Sequence, residues 1–239
     1  MKIRRIMFFA AFFLLPVTLN YFSPVLLVQS SFEGYFTIMH IIYGAMLLSA
    51  VVFGSAWCSY VCPFGAVQDI LPGTAKKPKL MNSRFPNLKF ITGPVFLVLI
   101  LAPLILSGFD KVNIFYHMED TKVTMDSFHG LILYYMITGG IILLSVILGK
   151  RVWCRYICPM YFFNYIGMSI ARVLRLPGLN IKPHAEKCTR CRKCNAACLM
   201  GLDVADMAKT GCWNRNECIQ CGECVKACKA GTLKQGFTK

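Results

Sequence analysis

Four apolar runs punctuate the chain: Ile6–Val28, Phe36–Ala56, Phe90–Phe109 and Phe128–Leu148. Each is long enough to cross a bilayer as a helix, which takes about 20 apolar residues. The first contains Pro16, Asn20 and Pro24 and follows Lys2, Arg4 and Arg5. Its core is too long for a signal peptide and shows no small-residue cleavage site, so it reads as a retained anchor. After the fourth run, Met160–Leu176 carries Phe162, Phe163, Ile166, Ile170, Val173 and Leu174 near helical spacing, with Arg172 and Arg175 toward its end. That pattern predicts an amphipathic helix lying at the inner membrane interface. Pro177-Gly178 then breaks the helix and opens a linker.

Composition agrees with the runs. The chain is 56% hydrophobic, with a mean hydropathy of +0.54, outside the range of ordinary soluble domains. A net charge of +15 would suit a nucleic-acid binder, but the positions of the charges argue otherwise. The loop between runs one and two has no Lys or Arg, and the loop between runs three and four has only Lys111 and Lys122. The other basic residues fall on the opposite side. Cytoplasmic loops are the basic ones, so both termini are expected in the cytoplasm, with lipid rather than nucleic acid as the partner.

The last quarter of the chain carries the most specific chemistry. Cys188, Cys191, Cys194 and Cys198 follow a C-x2-C-x2-C-x3-C spacing, and Cys218, Cys221, Cys224 and Cys228 repeat it. This is the bacterial ferredoxin spacing for two [4Fe–4S] clusters, in which the fourth cysteine of each run serves the other cluster. The assignment is Cys188, Cys191, Cys194 and Cys228 to one cluster, and Cys218, Cys221, Cys224 and Cys198 to the other. Leu199 and Lys229 replace the usual proline after the fourth cysteine, which loosens the turn without removing a ligand. Zinc needs fewer cysteines, and disulfides do not suit a reducing compartment. Cys212 lies outside both runs and reads as a small buried hydrophobe.

A second cysteine pattern repeats inside the apolar part. Trp57-Cys58-Ser-Tyr60-Val-Cys62-Pro63 returns 96 residues later as Trp153-Cys154-Arg-Tyr156-Ile-Cys158-Pro159. Each copy follows an inward-running apolar run, so the membrane part reads as two tandem hairpins. Cysteines four apart share a helical face. Cys58, Cys62, Cys154 and Cys158 are therefore expected to converge at the membrane boundary on a metal or an additional iron–sulfur cluster. Metal-free thiol chemistry and plain packing are the alternatives. The proline after the second cysteine is expected to stop the helix.

Four apolar runs, two C-x3-C-P motifs and a C-terminal pair of ferredoxin runs together resemble the NapH-type membrane ferredoxins, related to the NosR, CcoG and MauN-type proteins. The resemblance covers nearly the whole chain. It implies an all-α polytopic membrane domain of four helices over residues 1–159. An interfacial helix and linker over 160–181 and a 2[4Fe–4S] ferredoxin domain over 182–239 complete it. It also implies electron transfer at the inner membrane between quinol, or a soluble donor, and a partner redox enzyme. Some relatives serve metallocentre maturation or copper reduction instead, which is the alternative reading. The scattered methionines of this chain give that alternative no sequence support.

His40 and His129 sit near the outer ends of runs two and four. Histidines in membrane segments are functional candidates, here for contact with a quinol, against the plainer reading of ordinary interfacial polar residues. A haem is disfavoured, because their spacings to the following cysteines differ. His117 and His184 read as loop residues. Gln68 and Asp69 follow the first cysteine motif and read as a solvated loop or a quinone contact. No phosphate-binding loop or nucleophile–base pair is present, so the chemistry belongs to cofactors.

Overall fold

A computed structural model describes residues 2–14, 20–70, 88–107, 111–114, 128–149, 151–211, 213 and 216–238. Helix α1, Lys2–Phe13, is 12 residues long, and α2, Pro24–Phe32, is 9. At 1.5 Å per residue neither crosses an apolar layer of about 30 Å. The continuous first span expected from the sequence is therefore broken. The cause is visible at Ser23-Pro24: the serine hydroxyl accepts from the Leu26 N–H, and proline occupies the first turn, where its missing donor costs nothing.

The other runs match the expectation more closely. Helix α3 covers Ile38–Phe53, and the chain continues through a 3-10 turn over Gly54–Ala56 into α4, Trp57–Tyr60. Helix α5 is Pro63–Ile70, α6 is Lys89–Leu106 with Pro94 and Pro103 inside it, and α7 is Phe128–Leu148. Two helical stretches among the described residues, Ile38–Tyr60 and Lys89–Leu106, are long and apolar enough to cross a membrane. Their outward faces carry exposed Leu48, Val98, Ile105 and Leu106, an apolar surface that lipid would cover. Strands β1, Tyr35–Phe36, and β2, Lys111–Val112, form a short parallel pair.

Helix α8, Met160–Val173, departs from the expected interfacial helix. It is packed between α3 and α6, with Tyr161, Phe163, Asn164, Gly167, Met168 and Ala171 buried. Phe163 meets Tyr43 edge-on at 5.2 Å and Phe96 at 6.2 Å. The reason is steric. Gly93 and Gly167 let the helices approach so closely that an added Cβ would lie 2.5 Å from Phe162 and 2.5 Å from the Leu47 carbonyl. Small residues at such crossings are the usual route to tight helix packing in membranes.

The C-terminal part forms a second core, around Ile181, Met200, Val204, Ile219 and Leu233. Strand β3, Gly178–Pro183, pairs antiparallel with β4, Leu233–Thr238. Between them lie α9, Lys193–Ala197, α10, Val204–Thr210, and α11, Glu223–Ala227. The sheet takes in Gly178 to Lys182, so the unit starts before the expected boundary at 182.

In a helix interior alanine normally stabilises over glycine by about 1 kcal/mol. Gly167→Ala is expected to reverse that sign, with overpacking against Leu47 and Ala50 costing about 1–3 kcal/mol. A lowered thermal midpoint in detergent is the expected result.

Candidate functional site

The structure gathers twelve cysteines around three cavities. Cys188, Cys191, Cys194 and Cys228 line the first, of about 370 Å³, and Cys191 is exposed. Cys198, Cys218, Cys221 and Cys224 line the second, walled by Met200, Leu202, Val204, Trp213 and Ile219. Cys58, Cys62, Cys154 and Cys158 line the third, with Met46, Trp57, Phe64, Met160 and Tyr161. Met200 and Ile219 belong to both the second and the third.

In the first two cavities, left-handed residues curl each run round its cavity: Arg190 and Arg192 in one, Gln220 and Gly222 in the other. Cys198 and Cys228 close the short helices α9 and α11 and are carried over to the opposite tetrad.

The third cavity is built by the repeat. In each copy the N–H of the second cysteine donates to the tryptophan carbonyl five residues back: Cys62 to Trp57 at 3.1 Å, Cys158 to Trp153 at 3.0 Å. This wide turn swings both thiols inward. The helix stops before the proline, as expected, and the proline also opens the next: Tyr60 ends α4 and Pro63 begins α5, while the turn over Trp153–Ile157 ends before Pro159, which immediately precedes α8. Proline suits a helix start because its missing N–H has no partner to lose there. The N–H groups of Phe64 and Gly65 then face Cys62, and those of Met160 and Tyr161 face Cys158.

The first cysteine of each pair is served across the repeat. Gln68 on α5 donates through Nε2 to Cys154 Sγ at 3.2 Å. Asn164 on α8 donates through Nδ2 to Cys58 Sγ at 3.1 Å. Each amide lies six residues past the second cysteine of its own copy. The exchange is reciprocal, and both amides are fully buried. Gln68 is thus neither a loop residue nor a surface quinone contact. Asp69 is also tied inward: it accepts from Arg151 Nε and Nη2, both at 2.8 Å, and from Arg4 Nη2 at 2.5 Å. Arg151 is fully buried and donates to the Cys58 carbonyl at 2.7 Å.

These residues fit an iron–sulfur cluster. The donors are thiols, each hairpin thiol meets N–H groups, and buried Tyr161 presents a hydroxyl with no partner at the cavity. Among the described residues no three His, Cys, Asp or Glu side chains are close enough to hold a single metal ion. Four thiols facing one cavity, two from each copy of the motif, suit a cubane.

A family described as a 4Fe–4S binding domain matches the chain twice, over residues 35–80 and 131–176. The two matches are offset by 96 residues, like the cysteine motifs, and lie on the hairpins. MauN of Paracoccus denitrificans, a methylamine utilization ferredoxin-type protein, is 25% identical over 185 residues, 74% of this chain and 60% of MauN. NirI of the same organism is 23% identical over 197 residues, 78% of this chain and 27% of NirI. YccM of Escherichia coli, named as a candidate electron transport protein, is 23% identical over 205 residues, 82% of this chain and 55% of YccM. Its relatives thus include MauN, NirI and the regulatory protein NosR of Stutzerimonas stutzeri. The resemblance drawn from its motifs is borne out. It spans about half the length of YccM and about a quarter of NirI. No solved structure matches it.

Of the histidines, His40 is tied into the fold. His40 Nδ1 accepts from the Thr37 N–H at 3.2 Å, which leaves the proton on Nε2, 3.1 Å from Ser31 Oγ. Nδ1 therefore caps α3, and Nε2 ties it to Ser31 on α2. His129 is the second residue of α7, and its side chain lies outside the described residues, as do His117 and Cys212. His184 is an exposed loop residue before Ala185.

The two C-terminal tetrads differ in electrostatics. Burial pushes Cys218 up to about 12 and raises Cys221 and Cys224 as well. Cys191 is held below the ordinary thiol value by the Lys193 N–H and the Thr189 hydroxyl. A thiol with a lowered pKa becomes reactive thiolate at lower pH. In cluster-free protein titrated upward in pH, iodoacetamide is therefore expected to label Cys191 well before Cys218 and Cys224, read by peptide mass spectrometry. For the hairpin site, Gln68→Leu and Asn164→Leu are each expected to weaken iron retention about 10–100-fold, as losses of supporting hydrogen bonds do. Iron release to a chelator measures this.

Proposed function

We propose that the protein is an iron–sulfur electron carrier of the membrane, holding three [4Fe–4S] clusters in series. The observation that supports this reading is the row of three four-cysteine cavities, with Met200 and Ile219 forming a common wall between the hairpin cavity and its neighbour. Cys58, Cys62, Cys154 and Cys158 would hold the first, Cys198, Cys218, Cys221 and Cys224 the second, and Cys188, Cys191, Cys194 and Cys228 the third. When bound, each supplies a one-electron carrier whose potential follows burial and hydrogen bonds to sulfur.

The chain's own residues position and insulate. Trp57, Phe64 and Met160 wall the hairpin cavity and exclude water. Gln68 and Asn164 fix the thiols. Arg4–Glu223 at 2.6 Å and Lys89–Glu217 at 2.8 Å hold the C-terminal part against the hairpins. Coupling to quinol, a cytoplasmic position for the C-terminal part, and a partner oxidoreductase belong to the same proposal. They rest on the asymmetry of the basic residues and on the likeness to MauN and YccM.

A second reading has one observation in its favour. Met46, Met160 and Met200 surround the hairpin thiols, and thioether with thiolate is a soft set suited to copper(I). The cubane reading leads because all four thiols face one cavity and each meets an N–H donor.

Metal analysis of the full chain, purified without oxygen, separates these. About 12 irons with matching sulfide are expected, four per cluster. About 8 would remove the hairpin cluster, and stoichiometric copper would favour the second reading. Cys58→Ala and Cys154→Ala should each abolish the same EPR species, with the double variant no worse. Independent, additive losses would refute a shared site.

A further inference from the structure

We infer that the solvent-facing tetrad is a docking site for an acidic soluble redox protein, with which the chain exchanges electrons there. The inference rests on the proposed reading of this tetrad as a cluster site. The two cysteine runs provide an internal comparison, since one motif is used twice in different surroundings. In the run facing the hairpins, Ile219 and Gln220 are buried, Gly222 follows Cys221, and Glu223 pairs with Arg4 at 2.6 Å. The matching positions of the other run are Thr189, Arg190, Arg192 and Lys193, and Lys229 follows Cys228 of the exposed tetrad where Leu199 follows Cys198 of its neighbour. All five are exposed.

Arg190, Arg192, Lys193 and Lys229 all line the cavity of that tetrad, and no acidic residue does. The ion pairs formed among the described residues use none of the four. Arg192 also has a φ of +56, where the other run places Gly222 at +73. A side chain is disfavoured in left-handed backbone, so arginine sits here against local preference. Every residue lining this cavity falls between Cys188 and Leu233, away from the apolar helices. An unpaired basic ring round an exposed redox site steers an acidic partner. It complements such a protein as Arg4 complements Glu223 within the chain. The step moves one electron, lost by the reduced member and gained by the other, with no bond or proton transferred.

The test uses the cluster-loaded full chain in detergent and an acidic flavodoxin as the probe, with binding read by fluorescence anisotropy at two salt concentrations. Wild-type binding is expected to weaken as salt rises, since exposed charges are screened. The combined Arg190→Gln, Arg192→Gln, Lys193→Gln and Lys229→Gln variant should bind at least about tenfold more weakly at low salt. Its iron content and EPR spectrum should be unchanged. Arg192→Gly should weaken binding while raising or keeping the thermal midpoint, which separates docking from folding. Equal flavodoxin binding by the combined variant would overturn the inference. So would binding of phosphatidylglycerol vesicles, but not flavodoxin, through these residues. Iron missing from this tetrad in wild type would instead refute the cluster reading beneath it.

Discussion

Four thiols facing one apolar cavity must be supplied with hydrogen-bond donors and a counter-charge, and the rest of this structure follows from that demand. Thiolate sulfur in a low-dielectric site is costly unless it is paired. The helix starts after Cys62 and Cys158 supply backbone donors for those two sulfurs. Backbone donors from the same copy do not serve Cys58 and Cys154 in this way, so the amides of Asn164 and Gln68 reach across from the other copy. Neither hairpin therefore completes its own half-site. Burial of α8 between α3 and α6, made possible by Gly93 and Gly167, is what brings Asn164 into place.

The basic residues answer to the same demand as well as to topology. Arg4, Lys89, Arg151, Arg155 and Arg172 all lie on the side that the positive-inside rule assigns to the cytoplasm. All five are also engaged in the fold. Arg4 bridges Asp69 and Glu223, Lys89 pairs with Glu217, and Arg155 donates to the Met200 carbonyl. Arg172 reaches Asn216 at 2.7 Å, and Arg151 holds Asp69 beneath the Cys58 turn. Removing one member of such a buried pair leaves an uncompensated charge, which typically costs about 3–5 kcal/mol. A count of charges per loop sees only the first of these roles.

Local periodicity showed α7 to its ends and α3 and α6 to within a few residues, because long apolar runs have few alternatives. The pairing of Cys198 and Cys228 with the opposite runs was also legible, since the spacing leaves little freedom. The break at Ser23-Pro24 was visible as a capping signal but was outweighed by the hydropathy of the run. The burial of α8 was not legible: its apolar stripe suits a membrane surface and a helix crossing equally, and only Gly93 on a distant helix decides between them. Gln68 and Asn164 had a signal that went unused. They stand at the same offset in the repeat, two amides where one apolar and one polar residue would have meant nothing. The methionines were scattered in sequence and meet only in space.

The symmetry of the hairpin site is broken at one pair of repeat-related positions, Gly65 and Tyr161. A Cβ at Gly65 would lie 2.6 Å from the Cys58 carbonyl and 2.7 Å from Arg151 Nη1, so only glycine admits the guanidinium there. On the other side Tyr161 fills that volume and lies beneath the Lys89 ammonium, 4.1 Å from its ring centre. The position of Arg151 in the second copy is held by Ser55 in the first, which is buried and donates to Met168 sulfur. One arginine thus stands beside the cavity in a single copy, and Met200 and Ile219 complete its wall. The cavity draws all four thiols and both amide donors from the repeat but borrows Met200 and Ile219 from the C-terminal part for its wall. The same two residues line the neighbouring cavity, so the contact between the parts is also the partition between two four-cysteine sites.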